Sequence, residues 1–297
     1  TNRKIMIKPM LAHKLDESRI DWKKQVHMQP KLDGVRCLIQ YEVFPISQGG
    51  ARIVAYSRTG KEFMNVDHIK NDLVHMFEAC PWIVLDGELY NHNLRDNFEK
   101  IISLVRKQKP TDEDKSEAHR LIQYHVYDYT GKDYGSFEGL GYRNRLDNLT
   151  CSDMYTPSIH YVDTRRVKSM KAAKDFHTKT LAQGYEGSIL RTDTPYKHGR
   201  SWGLMKFKDF HDAEANIVNY EEGKGKRKGT IGKFIMQDDD GNIFGCPPGK
   251  GYNYADMKCI LKNIHKYMGQ RATFTYFERT KAGSYRHPLF KTLRNYE

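Results

Sequence analysis

Lysine and carboxylate side chains stand among apolar, strand-forming residues in several segments of the chain. In P-K-L-D-G-V-R at 30–36, the Lys31 amine is two residues from the Asp33 carboxylate, beside a D-G turn signal. In W-I-V-L-D-G-E-L-Y, strand alternation places Asp86 and Glu88 on one face. Carboxylates in so apolar a strand are costly to bury unless they meet a cation or a metal ion. Taken alone, K-x-D-G is also typical of a hairpin turn. The strand that carries Asp86 and Glu88 could likewise be an edge strand with one face exposed to solvent.

Two further segments supply another acid and a pair of lysines. Glu186 is the one acid among the apolar and small residues of G-Y-E-G-S-I-L. In L-M-K-F-K, alternation places Lys206 and Lys208 on one face, opposite Met205 and Phe207. Like charges on one strand face repel each other, so we infer an anion between these lysines. A solvated strand face is the alternative.

Together, these residues describe a pocket for a metal-bound phosphate. Hard oxygen ligands indicate magnesium or manganese as the metal. The chain contains no G-x-x-x-x-G-K-[ST] segment, which disfavours a phosphate-loop hydrolase. A lysine that attacks a nucleotide phosphorus is the natural alternative, with Lys31 as the nucleophile.

A lysine nucleophile must first lose its proton. Free lysine has a pKa near 10.4, so only about one amine in 2,500 is neutral at pH 7. We expect Lys206, Lys208 and a bound metal to lower the pKa of Lys31, since nearby positive charge disfavours a further cation.

The ordered motifs resemble those of the ATP-dependent DNA ligases, within the wider covalent nucleotidyltransferases. The resemblance spans nearly the whole chain. It rests on K-L-D-G-V-R at 31–36, S-R-T-G at 57–60, D-G-E at 86–88, V-Y-D-Y at 126–129, E-G at 186–187 and K-F-K at 206–208.

The resemblance implies a role for each motif. Lys31 forms the lysyl-AMP phosphoramidate, Glu88 binds the ribose hydroxyls and Tyr127 stacks on adenine. The remaining assignments are Asp33 and Glu186 at the ribose and metal, Asp86 and Glu186 as metal ligands, Arg36 as a cofactor-binding residue, Arg58 at phosphate, Gln29 near the base edge, and Lys206 and Lys208 on the AMP phosphate.

The implied reaction is the sealing of nicks in duplex DNA, as in replication, repair or recombination, with ATP and Mg²⁺ (or Mn²⁺) as cofactors. AMP passes from Lys31 to a 5′-phosphate, and the 3′-hydroxyl then attacks that phosphate. The expected DNA-contacting residues are Arg36, Arg58, Lys224, Lys226, Arg227, Lys228 and Arg286. The usual R-x-D-K element is incomplete, because Asn295, Tyr296 and Glu297 follow Arg294, with Tyr296 and Glu297 in place of the aspartate and lysine.

Two alternatives to DNA ligation remain open. An RNA-directed relative, either an mRNA-capping guanylyltransferase or an RNA ligase, shares the K-x-D-G pocket. A non-catalytic nucleic-acid-binding protein explains the basic charge but leaves Asp86, Glu88 and Glu186 without a purpose.

The elements that must position these residues favour an α+β fold in two domains. The expected architecture is an adenylation (nucleotidyltransferase) domain with antiparallel sheets at 1–208, followed by a small OB-fold β-barrel at 209–297 that binds DNA. The predicted elements of the first domain are strands at 26–29 and 35–41 around a hairpin turn, a strand at 83–90, helices capped by Asp67 and Asp96, an exposed loop at 107–119, and a helix at 166–183 ended by Gly184. Those of the second are strands at 215–220, 233–237, 242–246 and 272–278, a turn at 240–241 and a helix at 255–267.

Composition agrees with a nucleic-acid partner. The 297 residues include 49 Lys and Arg against 37 Asp and Glu, a net charge of +12. No long uncharged apolar run predicts a membrane span. The five cysteines form no C-x-x-C pair, which favours a reducing compartment. We expect a minimal two-domain monomer in the cytoplasm of a bacterial or of a virus- or phage-infected cell, with the nucleus as an alternative.

Overall fold

The computed structural model describes residues 7–132, 139–152 and 154–296. These residues divide into two compact units, one ending at Lys208 and the other running from Asp209 to Tyr296.

The first unit contains two five-stranded sheets and six α-helices within its described residues. In chain order the elements are β1 (Leu11–Lys14), β2 (Val26–Lys31), β3 (Val35–Val43), β4 (Ala51–Ser57), α1 (Asp67–Asp72), α2 (Val74–Ala79), β5 (Ile83–Tyr90), α3 (Phe98–Val105), α4 (Asp112–Leu121), β6 (Gln123–Gly131), α5 (Tyr142–Cys151), β7 (Ile159–Tyr161), β8 (Arg165–Val167), α6 (Met170–Ala182), β9 (Gly187–Thr192) and β10 (Arg200–Phe207). Sheet 1 has the order β1-β10-β9-β2-β8, and sheet 2 has the order β4-β3-β5-β6-β7.

The K-x-D-G segment crosses between the two sheets, so the predicted hairpin turn is wrong. β2 belongs to sheet 1 and β3 to sheet 2, and the two strands do not pair. A Cβ atom at Gly34 would lie 2.4 Å from the Leu89 carbonyl oxygen on β5. Only glycine therefore allows the crossover to pack this closely, and the crossover leaves Lys31 at the end of β2.

Sheet 1 has one face against α6 and the other toward charged and polar side chains. Val26, Met28, Leu190 and Met205 are buried with Ala173 of α6 in one apolar cluster. Gln29 pairs with Ile189 and Lys206 pairs with Ile189, so these residues and Lys31 share the opposite face. This is the alternation that strand geometry requires.

Two predicted helix caps are one residue from the observed ones. Asp67 is the first residue of α1 and Val66 is its N-cap, so the Asp67 carboxylate complements the helix dipole rather than capping the helix. The N-cap of α3 is Asn97 instead of Asp96, and its side chain accepts from the Lys100 amide.

Two other boundaries also differ from the prediction. Residues 107–119 include most of α4, which begins with a capping box between Thr111 and Asp114. The long helix starts at Met170, because residues 165–167 form β8 and Ser169 caps α6. Gly184 follows α6 with a φ of +88°, as the helix-stop prediction requires.

The second unit is a five-stranded sheet with one α-helix among its described residues. Its elements are β11 (His211–Glu222), β12 (Ile231–Gln237), β13 (Ile243–Cys246), α7 (Tyr254–Lys262), β14 (Arg271–Tyr276), β15 (Glu278–Arg279), β16 (Tyr285–Arg286) and β17 (Leu289–Leu293). The sheet order is β13-β12-β11-β14-β17, and β15 pairs only with β16. Phe234, Phe274 and Phe290 lie at the centre of its core. The predicted strands and turn are present, whereas α7 ends at Lys262 and not at 267.

Among the helices of the described chain, none is long and apolar enough to cross a membrane.

The capping box of α4 gives a stability prediction. The Thr111 hydroxyl accepts a hydrogen bond from the Asp114 amide, which lies in the first turn and has no acceptor within the helix. Thr111→Ala removes this acceptor. We expect a loss of about 1 kcal/mol in the free energy of unfolding, measured by urea titration. Thr111→Ser keeps the hydroxyl and serves as the control. Equal losses in the two variants would contradict the capping role.

Candidate active site

Three charged side chains meet at one end of sheet 1. Lys31 Nζ lies 2.6 Å from Glu186 Oε2, and Lys208 Nζ lies 2.6 Å from Glu186 Oε1. We call this group the Lys31–Glu186–Lys208 triad. The Lys208 side chain is only 3% exposed, so its charge needs a close counter-ion. The sequence predicts an anion between Lys206 and Lys208, whereas in the structure the Glu186 carboxylate lies between Lys31 and Lys208.

Strand register and one glycine bring the triad together. Lys31 at the end of β2 is directly opposite Gly187, the residue after Glu186. A Cβ atom at Gly187 would lie 2.5 Å from the Phe207 carbonyl oxygen and 2.8 Å from the Lys208 Cβ. The glycine of the E-G motif therefore allows the end of β10 to approach β9 and places Lys208 beside Glu186.

The triad adds an anion to the surroundings of the Lys31 amine. The sequence-based expectation named Lys206, Lys208 and a metal, and the structure also places the Glu186 carboxylate 2.6 Å from Lys31 Nζ. An anion at this distance favours the charged form of the amine. A nucleophilic role of the Lys31 amine would therefore require that Glu186 accept its proton or give up its contact.

Asp86 is bound to an arginine. Arg36 Nε and Nη2 each lie 2.6 Å from one Asp86 oxygen, and the Tyr196 hydroxyl donates to Oδ2 at 2.7 Å. Asp86 is 1% exposed, so these donors supply the compensation that a buried carboxylate requires. The geometry therefore assigns Asp86 to Arg36 rather than to a metal ion.

Glu88 and Tyr127 lie next to this ion pair. The Tyr127 hydroxyl donates to Glu88 Oε2 at 3.1 Å, and the Arg36 guanidinium carbon lies 5.2 Å from the Tyr127 ring centroid. A β-bulge in the pairing of β5 with β6 leaves Tyr127 without a direct partner and allows its ring to be re-aimed. Burial raises the pKa of the Glu88 carboxyl from 4.5 to about 7, although Arg36 and Lys31 oppose this shift.

Sequence reasoning missed a buried polar network that joins the two sheets. Asp128 on β6 accepts from Arg145 at 2.7 Å and from Arg191 of β9 at 2.9 Å. Arg191 also donates to the Gln29 side-chain oxygen, and the Gln29 amide donates to Tyr142 and Thr164, both at 2.8 Å. The sequence signal for this network was a charged residue within each of two apolar strands, Asp128 in β6 and Arg191 in β9.

This network corrects the role predicted for Gln29. Its side-chain oxygen and nitrogen are both engaged inside the protein, and the residue is 2% exposed. Gln29 therefore holds β2 against Arg191, and its side chain is not available to read a base edge.

The remaining predicted residues of the first unit lie on the same face of sheet 1, in the crossover, or at an edge of sheet 2. Lys206 is half-buried on the face of sheet 1 that carries Lys31. Asp33 is half-buried in the crossover, and its negative charge contributes to the raised pKa of Glu88. Arg58 is half-buried in the turn after β4, which is an edge strand of sheet 2.

The protein alone supplies few ligands for a metal. Within the residues that the structure describes, no group of three or more His, Cys, Asp or Glu side chains could hold an ion. Magnesium commonly binds through one or two carboxylates together with substrate phosphates and water. The donor set therefore fits an ion carried by a nucleotide triphosphate, with Glu186 as the nearby carboxylate.

In the second unit, the predicted DNA-contacting cations lie between β11 and β12. Lys224, Lys226, Arg227 and Lys228 are all exposed, around a short 3₁₀ turn at Gly225–Arg227. Arg286 is exposed on β16 and forms an ion pair with Glu278 of β15, at 2.6 Å.

Comparison with known families gives this arrangement a context. A family model described as an ATP dependent DNA ligase domain matches residues 9–208, and one described as a DNA ligase OB-like domain matches residues 222–294. The chain belongs to the ATP-dependent DNA ligase family. The resemblance drawn from the motifs is thereby confirmed, as is the α+β nucleotidyltransferase fold followed by an OB-like domain.

Individual relatives agree with the family. The chain is 30% identical over 274 residues to the DNA ligase of African swine fever virus (strain Badajoz 1971 Vero-adapted), covering 89% of this chain and 61% of the viral ligase. The chain thus spans less than two thirds of that relative's length.

Solved structures show the same fold. A Lig E DNA ligase superimposes with a TM-score of 0.55 at 24% identity, over 98% of this chain and 100% of that one. The ATP-dependent DNA ligase of bacteriophage T7, in complex with ATP, gives a TM-score of 0.54 at 21% identity, with the same two coverages.

The raised pKa of Glu88 predicts how stability depends on pH. The unfolded chain releases this proton near 4.5 and the folded protein near 7, so the folded state loses stability as the pH rises between these values. Glu88→Gln cannot ionise and avoids this loss. We expect its melting temperature to exceed that of the wild type by a few degrees at about pH 8, and by less at about pH 5.

The control for this prediction is Glu17→Gln, at an exposed glutamate of the same unit. It should follow the wild type at both pH values. A Glu88→Gln variant that is no more stable than the wild type at the higher pH would contradict the burial argument.

Proposed function

We propose that this chain is an ATP-dependent DNA ligase that seals nicks in duplex DNA through a lysyl-AMP intermediate on Lys31. The observation that carries the proposal is the Lys31–Glu186–Lys208 triad, in which two amines lie 2.6 Å from one carboxylate. This is an anion-binding position with the nucleophile at its edge. A phosphate carries the same sign of charge as Glu186 and can take its place.

In the first step, the Lys31 amine attacks the α-phosphorus of ATP. A P–N bond forms, the bond from the α-phosphorus to the bridging oxygen breaks, and pyrophosphate leaves. Glu186 Oε2 is 2.6 Å from the Lys31 amine, so it is placed to accept the proton. Lys208 and Lys206 then stabilise the charge that develops on the α-phosphate oxygens.

The nucleoside belongs beside Glu88 and Tyr127. The Glu88 carboxylate can accept hydrogen bonds from the ribose hydroxyls, and the Tyr127 ring offers a face for adenine. The hydrogen bond from Tyr127 to Glu88 and the network around Asp128 hold both groups before the nucleotide arrives. When bound, magnesium supplies charge neutralisation on the triphosphate.

The second and third steps use the same anion position. AMP passes from Lys31 to the 5′-phosphate at a nick, and the 3′-hydroxyl then attacks that phosphate and releases AMP. The phosphate in each step carries negative charge into the reach of Lys206 and Lys208, so one set of cations can serve all three transfers.

The proposed partner is nicked duplex DNA, bound by a monomer. The four exposed cations of the 224–228 loop support a contact with backbone phosphates, because they lie together on one turn. Both family models are described as DNA ligase domains, which favours DNA over the RNA-directed alternatives. A location in the cytoplasm stays a prediction.

Covalent labelling tests the nucleophile. We expect the wild type to retain label after incubation with Mg²⁺ and ATP labelled at the α-phosphate, as seen on a denaturing gel. Lys31→Ala and Lys31→Arg should retain none, since the arginine side chain stays protonated and cannot attack. Lys23→Ala, at an exposed lysine, should label normally. Label on Lys31→Ala would refute the assignment.

A sealing assay tests the substrate. The wild type should join a nicked DNA duplex in the presence of ATP and Mg²⁺, and should join a nicked RNA duplex much more slowly. Labelling by GTP instead of ATP, or preferential joining of RNA, would overturn the DNA ligase proposal in favour of an RNA-directed enzyme.

A further inference from the structure

An exposed tryptophan contacts a histidine ring and an arginine near the edge of sheet 1. β1 is the edge strand and pairs with β10, which carries Trp202. The rings of His13 and Trp202 are nearly parallel, with centroids 3.8 Å apart and planes 7° apart. The Arg19 guanidinium carbon lies 4.8 Å from the Trp202 ring centroid. We call these three side chains the Trp202 stack.

Exposed cations surround the Trp202 stack. Lys14, Lys197 and Arg200 are exposed and, among the described residues, none of them forms an ion pair with an acid. Arg19 lies near one acid, Asp16, and its Nε is 4.0 Å from Asp16 Oδ2. Asp16 also accepts hydrogen bonds from the amide and hydroxyl of Ser18. We call Lys14, Arg19, Lys197 and Arg200 the edge cations.

The positive charge of the edge cations reaches the stack. The pKa of His13 is lowered, first by burial of its ring against its neighbours and then by Arg200, Lys197 and Arg19. His13 is therefore neutral at physiological pH and acts as a flat ring against Trp202. The charge facing solvent comes from the arginines and lysines around it.

Stacking makes Arg19 a better phosphate ligand than a free arginine. A long cationic side chain carries about 2 kcal/mol of rotamer entropy, part of which is lost whenever it binds. Contact with the Trp202 face restrains the guanidinium before any ligand arrives, while its N–H groups remain at the surface. A planar guanidinium also matches the geometry of a phosphate.

The occupant that fits this surface is a polyanionic backbone and not a free base. His13 is stacked on the Trp202 ring and Arg19 also lies over the ring, so part of its surface is already covered against base stacking. Lys14 ends the edge strand β1, Arg19 follows that strand, and Lys197 and Arg200 lie before and at the start of β10. Cations at several separate positions suit the successive phosphates of a polymer. Contacts of this kind position a duplex without reading its sequence.

We propose that the Trp202 stack and the edge cations bind backbone phosphates of the DNA duplex on which Lys31 acts. This inference rests on the proposed DNA ligase function and adds a contact surface in the first unit, separate from the 224–228 loop. The stack orders Arg19, and Lys14, Lys197 and Arg200 add positive charge along the same edge.

Salt-dependent DNA binding tests this surface. The variant is Arg19→Gln combined with Lys197→Gln, and the probe is a nicked duplex measured by fluorescence anisotropy at several salt concentrations. We expect Kd to rise about tenfold near physiological salt and the slope of log K against log salt to fall by about 1.8, since each lost phosphate contact removes about 0.9. Lysyl-AMP formation with ATP alone should be unchanged.

Arg120→Gln combined with Lys174→Gln is the matched control, because it removes one exposed arginine and one exposed lysine elsewhere on the same unit. It should bind with nearly the wild-type affinity and slope. A second variant, Trp202→Ala, keeps every cation and loses only the stack. We expect its Kd to rise about threefold with the salt slope unchanged.

The outcomes separate this inference from the function on which it rests. If the wild type seals nicks and the Arg19/Lys197 variant binds like the control pair, the DNA-binding surface is overturned and the ligase proposal stands. If the wild type neither forms lysyl-AMP nor seals nicked DNA, the ligase proposal itself fails, and the inference that rests on it fails with it. A Trp202→Ala variant that binds like the wild type would overturn the ordering role of the stack.

Discussion

One carboxylate shared by two amines is the interaction on which the site depends. Each oxygen of Glu186 lies 2.6 Å from a lysine nitrogen, and Lys208 is almost fully buried. A buried charge that loses its partner costs about 3–5 kcal/mol. In the proposed reaction, an entering phosphate replaces Glu186 as the counter-ion when Glu186 releases the lysines. Binding of the nucleotide and activation of the proposed nucleophile would then be parts of one exchange of anions.

The fold serves this exchange by bringing the ends of β2, β9 and β10 together while keeping sheet 2 within reach. The crossover at Gly34 takes the chain directly from Lys31 into β3, whose Arg36 holds Asp86 next to Glu88. Asp128 and Arg191 join the two sheets through buried hydrogen bonds. Lys31 and the residues proposed to bind the nucleoside are consequently held by separate sheets that the same short segment connects.

Local patterns predicted the elements better than the contacts between them. Strand β5 and the core strands of the second unit follow from runs of β-branched and aromatic residues. The K-x-D-G segment was misread as a hairpin because a turn signal does not say whether the flanking strands pair. The polar face of Lys206 and Lys208 was predictable from alternation. The partners of Gln29, Asp86 and Lys31 were not predictable in this way. They are Arg191, Arg36 and Glu186 respectively, which are distant in sequence and are brought near only by the tertiary fold.

The most direct test of the account measures the charge of the Lys31 amine itself. Amine-specific labelling, with Lys31 modification quantified by peptide mass spectrometry across a range of pH, compares the wild type with Glu186→Gln in the absence of nucleotide. We expect Glu186→Gln to shift the labelling profile of Lys31 to lower pH, because the carboxylate that favours the charged amine is gone. Identical profiles in the two proteins would contradict the claim that Glu186 controls the nucleophile.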